Sequence, residues 1–511
     1  MFVGDIMTAS SLSLVRFVAT TVCFLVAVSS SAAAADAALV DAVKRTDVAA
    51  VRSLLSAGAD VDEPEADGTT ALHWAAYRDN ADIAALLLEA GASATSTNRY
   101  GVQPISLAAV NGSAAIILAL LDAGADVNTT LAEGETVLMT AARTGNLAAV
   151  ELLLAHGADI NAAESWRRQT ALMWAAAEGH IDVIRALVAH DVDVHAASEK
   201  AFTALMFAAR EGHIEVAEAL LDAGASLNEA LTVNALRTAG NLEREAASAA
   251  GVNAFLLAVG NAHYELAARL LDRGADPNAA PRGWTVLHQL TWVRKAGISG
   301  SNDPPPEGSG EMDSLELVRK LVAAGADINA RVTKRPPAGI SVLNFAGGTP
   351  FLLAARTADA EYMRLLVELG ADPLLTNDDG STPLMVAAGL GASSPGEDPG
   401  TESEVIEAVR LALELGDDIN AVDLKGETAM HGAAYKAVPR VVRLLSGEGA
   451  DMEIWNQANG KGWSPLTIAE GVHRGANIIT SLPTAAAIRE VMAGERVEPG
   501  EIPPAAAACC A

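Results

Sequence analysis

Cysteine is almost missing from this 511-residue chain: Cys23 lies in an N-terminal apolar run, and Cys509 and Cys510 sit side by side near the C-terminus. Adjacent cysteines at a chain end cannot staple a core, which excludes a disulfide framework. Aromatic residues make up only 4% of the chain, and 35 basic residues face 64 acidic ones, for a formal net charge of −29. The core must therefore be built from alanine, leucine and valine. A surface this acidic repels phosphate backbones, which argues against nucleic acid and makes a neutral or basic protein the easier partner. Acidity also keeps a long alanine-rich chain soluble, and the composition alone does not separate the two uses. The apolar run Phe17 to Val28 is shorter than the ~20 residues that a membrane-spanning helix needs.

That run reads as targeting. Arg16 precedes it, serines follow it, and Ala32-Ala33-Ala34-Ala35 supplies an Ala-x-Ala site, so residues 1–35 are expected to be a secretory signal cleaved after Ala35, with Met7 as an alternative start. Cys23 follows Thr-Thr-Val, which is no lipoprotein box. The expected product is exported, without stable membrane insertion after cleavage, and periplasmic or extracellular in a bacterium. Asn111-Gly-Ser and Asn128-Thr-Thr match the glycosylation acceptor pattern, but Asn128 fills a slot that Asn161 and Asn329 fill elsewhere and reads as structural. Residues 495–511, rich in proline and alanine, read as a disordered tail.

What the chain does have is one unit written about twelve times. Gly58, Gly91, Gly124 and Gly157 are spaced by 33 residues, Asp191 takes the next slot after 34, and Gly224 follows after another 33. The register resumes at Gly274, Gly325, Gly370, Gly416 and Gly449. A fixed period of this size means stacked repeats, none of which buries its apolar face alone. Each unit holds two short stretches with apolar residues at helical spacing, such as Thr136–Gly145 and Leu147–Ala155, which read as antiparallel helices. Thr136 is placed to cap the first, and a glycine ends the second in a left-handed turn. Pairs such as Ala75-Ala76, Ala141-Ala142, Ala175-Ala176 and Ala208-Ala209 let neighbouring helices approach closely.

Gly68-Thr-Thr-Ala-Leu-His-Trp-Ala-Ala76, Gly179-His180, Gly212-His213, Gly380-Ser-Thr-Pro-Leu384 and the recurring Gly-Ala-Asp resemble the ankyrin repeat, from about Asp36 to Gly494. The resemblance implies an all-α ankyrin-repeat solenoid of paired antiparallel helices with β-hairpin-like fingers, and a concave face of fingers and first helices that usually binds proteins. It also implies that this face is lined by Tyr77, Arg78, Arg143, Arg210, Trp292, Arg356, Tyr435 and Lys436 on the helices. At the finger tips it places Arg99, Tyr100, Trp166, Arg167, Trp284, Lys425 and Trp463. Aromatic and arginine side chains dominate binding hot spots. The alternative for Trp284 and Trp463 is packing against adjacent fingers. Trp74 and Trp174, in an apolar slot between repeats, read as core.

Regularity breaks between Gly224 and Gly416, where the intervals are 50, 51, 45 and 46 residues. Leu231–Ala250 and Thr333–Ala346 fall before a first helix, on the finger edge. Ala296–Met312 and Ala392–Glu402 fall between two helices of a repeat, on the other edge. Insertions map to loops and often to the binding side; tolerated drift is the competing account, and a shaped pocket or lip the functional one. Leu236–Ala250 is able to form an extra helix, whereas Ser299–Gly310 and Ser393–Gly400 read as loops.

Catalysis finds little support. His73, His288 and His431 fill the Leu-His slot, and His180, His213 and His263 open second helices; in ankyrin repeats such histidines make structural backbone bonds. His190-Asp-Val-Asp-Val-His195 has metal-ligand residue types but occupies ordinary repeat slots. Gly389-Leu-Gly391 follows a helix rather than a strand and is no phosphate cradle. No cofactor, metal or enzymatic activity is expected. The expectation is a monomeric, exported scaffold binding a protein through the concave face and the inserted loops. The alternatives are an accessory subunit or enzyme using Glu470, His473 and Arg474 beside Tyr435, and a structural envelope spacer. Capping of the stack is the competing role for those three residues.

Overall fold

The computed structural model describes residues 38–231, 250–295, 305–336, 341–393, 399–474 and 477–494. The expected signal, most of the insertion at 231–250, the possible helix Leu236–Ala250 and the C-terminal tail lie outside them. The chain divides into two compact units. One takes in the described residues through Glu199 with Thr203–Leu205 and Glu215–Ala225; the other takes Lys200–Phe202, Met206–Ile214 and the described residues from Ser226.

The first unit is a run of near-identical helix pairs: Ala71–Tyr77 with Ala81–Glu89, Pro104–Asn111 with Ala114–Asp122, Val137–Thr144 with Leu147–Ala155, and Ala171–Glu178 with Ile181–Ala189. Local chemistry sets the ends. Thr136 Oγ1 accepts from the N–H of Met139 at 3.2 Å, and Asn146 Oδ1 accepts from Ala149 at 2.9 Å, each satisfying an otherwise orphan donor. Gly157, with φ of 85°, turns the chain out of the second helix in the left-handed region that costs glycine nothing. Asp191 takes the same turn at φ 58° without that exemption. Ala141, Ala142, Val150 and Leu153 have no exposed surface, so the small pair admits the neighbouring helix and the larger residues fill the layer behind. Leucine or valine buried this way contributes roughly 1.5–3 kcal/mol each. Antiparallel bridges Thr130 to Thr136, Ala163 to Thr170 and Ala197 to Thr203 give the fingers their hairpin character.

The second unit keeps the same pairs but spreads them. Ala254–Gly260 pairs with Tyr264–Asp272, Val286–Arg294 with Ser314–Ala323, and Pro350–Arg356 with Ala360–Glu368. Pro383–Ala388 pairs with the 13-residue helix Glu402–Glu414, so the insertion ending there lengthens a helix as well as a loop. Thr401 and Glu404 close a capping box at its start, Thr401 N–H to Glu404 at 2.7 Å and Glu404 N–H to Thr401 Oγ1 at 3.3 Å. After Ala429–Lys436 and Pro439–Gly447, the unit ends in Pro465–Gly471, a small antiparallel pair Val472–Arg474 and Asn477–Ile479, and the helix Leu482–Met492.

The insertion at 333–346 folds back on the unit that carries it. Its base closes where the Val332 N–H donates to Gly348 O and the Gly347 N–H donates to Val332 O, at 2.9 and 2.8 Å. Its far arm carries Leu343 and Phe345 into a cluster with Trp284, Val332, Leu352, Leu353 and Val386. The Val342 N–H donates to Gly391 O at 3.0 Å, and a Cβ at Gly391 would lie 2.6 Å from Leu343 Cβ and 3.0 Å from its backbone. The second glycine of Gly389-Leu-Gly391 thus exists for close approach of the inserted strand.

Candidate partner-binding sites

In the first unit, side chains at each finger tip take up the backbone donors and leave the neighbouring residues facing outward. Asn98 Oδ1 accepts from the N–H groups of Tyr100 and Val102, both at 3.0 Å. The buried Glu164 carboxylate accepts from Trp166, Arg167 and Gln169 at 2.5, 2.9 and 2.9 Å. Tyr100 and Trp166 are left 71% and 62% exposed. Arg167 stacks 4.0 Å from the Trp166 ring centre, and Arg78 lies 5.9 Å from that of the exposed Tyr77, whose ring also meets Trp74 edge-on. Arg143, partly exposed, sits between Glu135 at 3.3 Å and the Trp174 ring at 5.8 Å. Trp74 and Trp174 are half-buried rather than core: Trp74 Nε1 donates to Glu65 Oε2 at 2.6 Å, and Lys44 lies over its ring.

His73, His180, His263, His288 and His431 are structural, as their slots implied. His73 Nδ1 accepts from the Thr70 N–H at 3.2 Å, which puts the proton on Nε2 and lets it donate to Val102 O at 3.0 Å. His288 does the same between Thr285 and Gly348. Burial holds His288 and His431 down to about 4, so both stay neutral near physiological pH. His180 and His263 bond the carbonyls of Arg143 and Arg210, each at 3.0 Å. Asn128 Oδ1 accepts from the Asp159 N–H at 2.8 Å, the structural role read for it. In the His190–His195 span, Asp193 donates its N–H to Asn161 and accepts from His195, the bonds of an ordinary finger.

The second unit treats the expected contact residues differently. Arg210 stays exposed beside Glu211, and Trp463 is half-buried with Lys461 4.9 Å from its ring. Four others are withdrawn from the surface. Trp284 is 5% exposed because Leu343 and Phe345 of the insertion pack on it, with Trp292 alongside at 6.0 Å. Arg356 is buried under the ring of Phe345. Lys436 is buried with Nζ donating to Pro399 O at 2.6 Å, in the insertion at 392–402. Tyr435 is 4% exposed and donates to Glu427 Oε1 at 3.0 Å. All four are covered by their own chain rather than left on an open face.

Two cavities border the insertions of this unit. One, of about 420 Å³, lies where first helices end and second helices begin, lined by Arg294, Lys295, Pro305, Pro306, Asp359 and Glu404 among others. Its charges are matched: Arg294 to Asp359 at 2.8 Å and to Glu361 at 3.1 Å, and Lys295 to Glu404 at 2.6 Å. The other, of about 370 Å³, lies on the finger side. Val342, Leu343 and Asn344 of the insertion wall it against Asp379, Asp423 to Lys425, Glu427, Tyr435 and Lys461.

Glu427 is the unusual member. It is 7% exposed; Oε1 accepts from Tyr435 and from Asn459 Nδ2 at 3.0 and 2.8 Å, while no described group donates to the buried Oε2. Burial pushes its carboxyl up to about 7 against those two hydrogen bonds, with Asp423 adding to the rise. Nothing in the sequence marks this residue, because Glu427 fills a variable finger position and only the fold brings Asn459 and Tyr435 onto it. Glu470, by contrast, pairs with Arg489 of the last helix at 2.5 Å, and exposed His473 lies in the terminal strand opposite Ile478. Glu470 thus ties down the terminal helix.

The family model for ankyrin repeats matches in three copies, over residues 39–131, 96–164 and 138–230. The chain is 36% identical over 239 residues to human ankyrin repeat and SOCS box protein 16, covering 36% of this chain and 52% of that one. The mouse counterpart is 35% identical over 121 residues, covering 24% and 25%. The Arabidopsis thaliana E3 ubiquitin-protein ligase KEG is 29% identical over 169 residues, covering 30% and 9%. The chain therefore spans about half, or less, of these relatives. With three matched copies and paired helices in both units, the chain is an all-α ankyrin-repeat solenoid, a fold that implies a protein-interaction scaffold.

Proposed function

We propose that this chain is an exported scaffold that binds a neutral or basic protein through the finger tips and first helices of its regular repeats, acting as a monomer without catalysis. One observation carries the reading: Tyr77, Tyr100 and Trp166 stand exposed with Arg78 or Arg167 against two of them, although nothing in the fold needs them outside. Exposed aromatics held by a rigid finger lose little entropy on binding and supply most of the energy of an interface. The apolar run Phe17–Val28 and the alanines to Ala35 support export.

The test is photo-crosslinking from position 100 of the full chain in an envelope extract of the source organism, beside capture with wild type and the Tyr77→Ala, Tyr100→Ala, Trp166→Ala triple variant. A crosslinked protein that the triple variant no longer retains is the expected result. Retention of that same protein by a folded triple variant would overturn the assignment of the surface.

A further inference from the structure

We propose that the finger-side cavity of the second unit receives an arginine side chain of the partner, its guanidinium seated against Glu427 and its aliphatic stem between Val342, Leu343 and Leu424. The inference rests on the scaffold reading and adds the chemistry that one part of the partner must present.

Three observations converge on it. The cavity, at about 370 Å³, is of the size that takes small ligands and single side chains. Its mouth is apolar, with Val342 and Leu424 57% and 82% exposed, whereas its depth holds Asp423, Glu427 and Tyr435. An apolar collar over an acidic floor suits a long basic side chain, whose methylenes are hydrophobic and whose head is charged. The two lysines of the wall leave that floor net acidic: Lys425 Nζ is ion-paired with Asp379, and Lys461, whose Nζ lies over the Trp463 ring, offsets only part of the charge of Asp423 and Glu427.

Glu427 adds the feature that a surface cluster of carboxylates lacks. It is held on one oxygen by two donors and has a second oxygen, buried, to which no described group donates. A buried carboxyl oxygen without a partner is costly, and a guanidinium that holds the group ionised supplies that partner. Glu427 itself lines the cavity, so a donor that enters there meets this carboxyl group without the finger moving. Asp423 Oδ2, which accepts from Ser381 Oγ at 2.9 Å, keeps a further acceptor position. Several acceptors in a half-dry pocket favour guanidinium over ammonium, because it is planar, carries five donors and sheds its hydration more readily.

The test uses the full chain and three capped tripeptides, acetyl-Gly-Arg-Gly-amide and its lysine and citrulline counterparts, titrated at physiological salt and followed by ligand-observed NMR. The arginine peptide should bind, lysine more weakly and the uncharged citrulline weakest. At pH 8, above the value of about 7 to which burial raises this carboxyl, Glu427→Gln should weaken the arginine peptide by about thirtyfold or more, the loss typical of removing one side of a buried charge pair. Val342→Trp, which plugs the mouth from an exposed position, should abolish binding while helical circular dichroism stays unchanged; it decides the matter if Glu427→Gln does not fold. Equal binding of the citrulline or lysine peptide, no binding of the arginine peptide, or full binding by a folded Val342→Trp would each overturn the proposal. None of these outcomes touches crosslinking at position 100, so the pocket and the scaffold reading fail separately.

Discussion

Tyr100 in the first unit and Trp284 in the second stand near the tips of their fingers, yet one is 71% exposed and the other 5%. The same contrast holds on the helices between Tyr77, which is exposed, and Tyr435, which is buried. The repeat pattern is alike in both units; what differs is whether a neighbouring insertion brings its own apolar residues to the face. Between Gly58 and Gly124, where the period is 33 residues and no insertion lies nearby, Tyr77 and Tyr100 meet solvent. Where an insertion delivers Leu343 and Phe345, the aromatics become core and the face becomes a pocket wall. A slot in a repeat fixes the position of a side chain, and the surrounding chain decides whether it binds a partner or its own protein.

The sharpest way to break this comparison is to truncate both tips. Trp284→Ala should cost the second unit about 3–5 kcal/mol, as for any large aromatic removed from a packed cluster. Trp166→Ala should change stability by less than about 0.5 kcal/mol. Chemical denaturation of the two variants checks both, and equal losses would mean that the two faces do not differ as described.

Next in size is the response to pH. Glu427 is raised from 4.5 to about 7, so across that window the folded chain keeps a proton that the unfolded chain has released, and stability falls as pH rises. The full fall is about 3 kcal/mol for a shift of this size. His288 and His431, lowered from 6.5 to about 4, act in the opposite sense: the unfolded chain takes up protons first, and stability is lost as pH falls through that range. The opposed slopes are separated by subtraction. Denaturation of wild type against Glu427→Gln at several pH values should give a difference that declines from about pH 4.5 to 7, and a flat difference would exclude a buried proton at Glu427.

Smaller effects sharpen the first unit. Tyr100→Ala and Trp166→Ala should each weaken partner binding by about 2 kcal/mol, the scale of an aromatic hot spot, with thermal midpoints unmoved. Asn128→Ala should cost about 1 kcal/mol of stability by leaving the Asp159 N–H without its acceptor, and hydrogen exchange at Asp159 reads it directly.

Much of this fold was legible in advance because repeats test each inference several times over. The helix pairs, the threonine caps, the left-handed glycines, the structural histidines and Asn128 follow from spacing and local chemistry, which do not depend on distant contacts. The candidates Tyr77, Arg78, Arg167 and Arg210 are exposed. Trp284, Arg356, Tyr435 and Lys436 did not follow, because each is covered by residues that no repeat register can place: Phe345, Pro399 and Glu427. The insertion at 333–346 was visible as extra length, but its return onto Trp284 depends on Leu343 and Phe345 finding that cluster. Glu427 was least legible, since its burial needs Tyr435 from the following helix and Asn459 from the next finger.

The asparagines of the fingers form a ladder along each unit, and its rungs ignore the length of chain between them. Asn128 to Asp159 and Asn420 to Asp451 span 31 residues, while Asn278 to Asp327 spans 49 and Asn329 to Asp372 spans 43, all through the same bond of 2.7–3.0 Å. A segment that leaves one rung and returns at the next therefore leaves the rung bond unchanged, even where, as at 333–346, it packs on the face beside it. For protein engineering, the inserted stretches mark ports where foreign peptides can be spliced in and displayed while the supporting scaffold keeps its pitch.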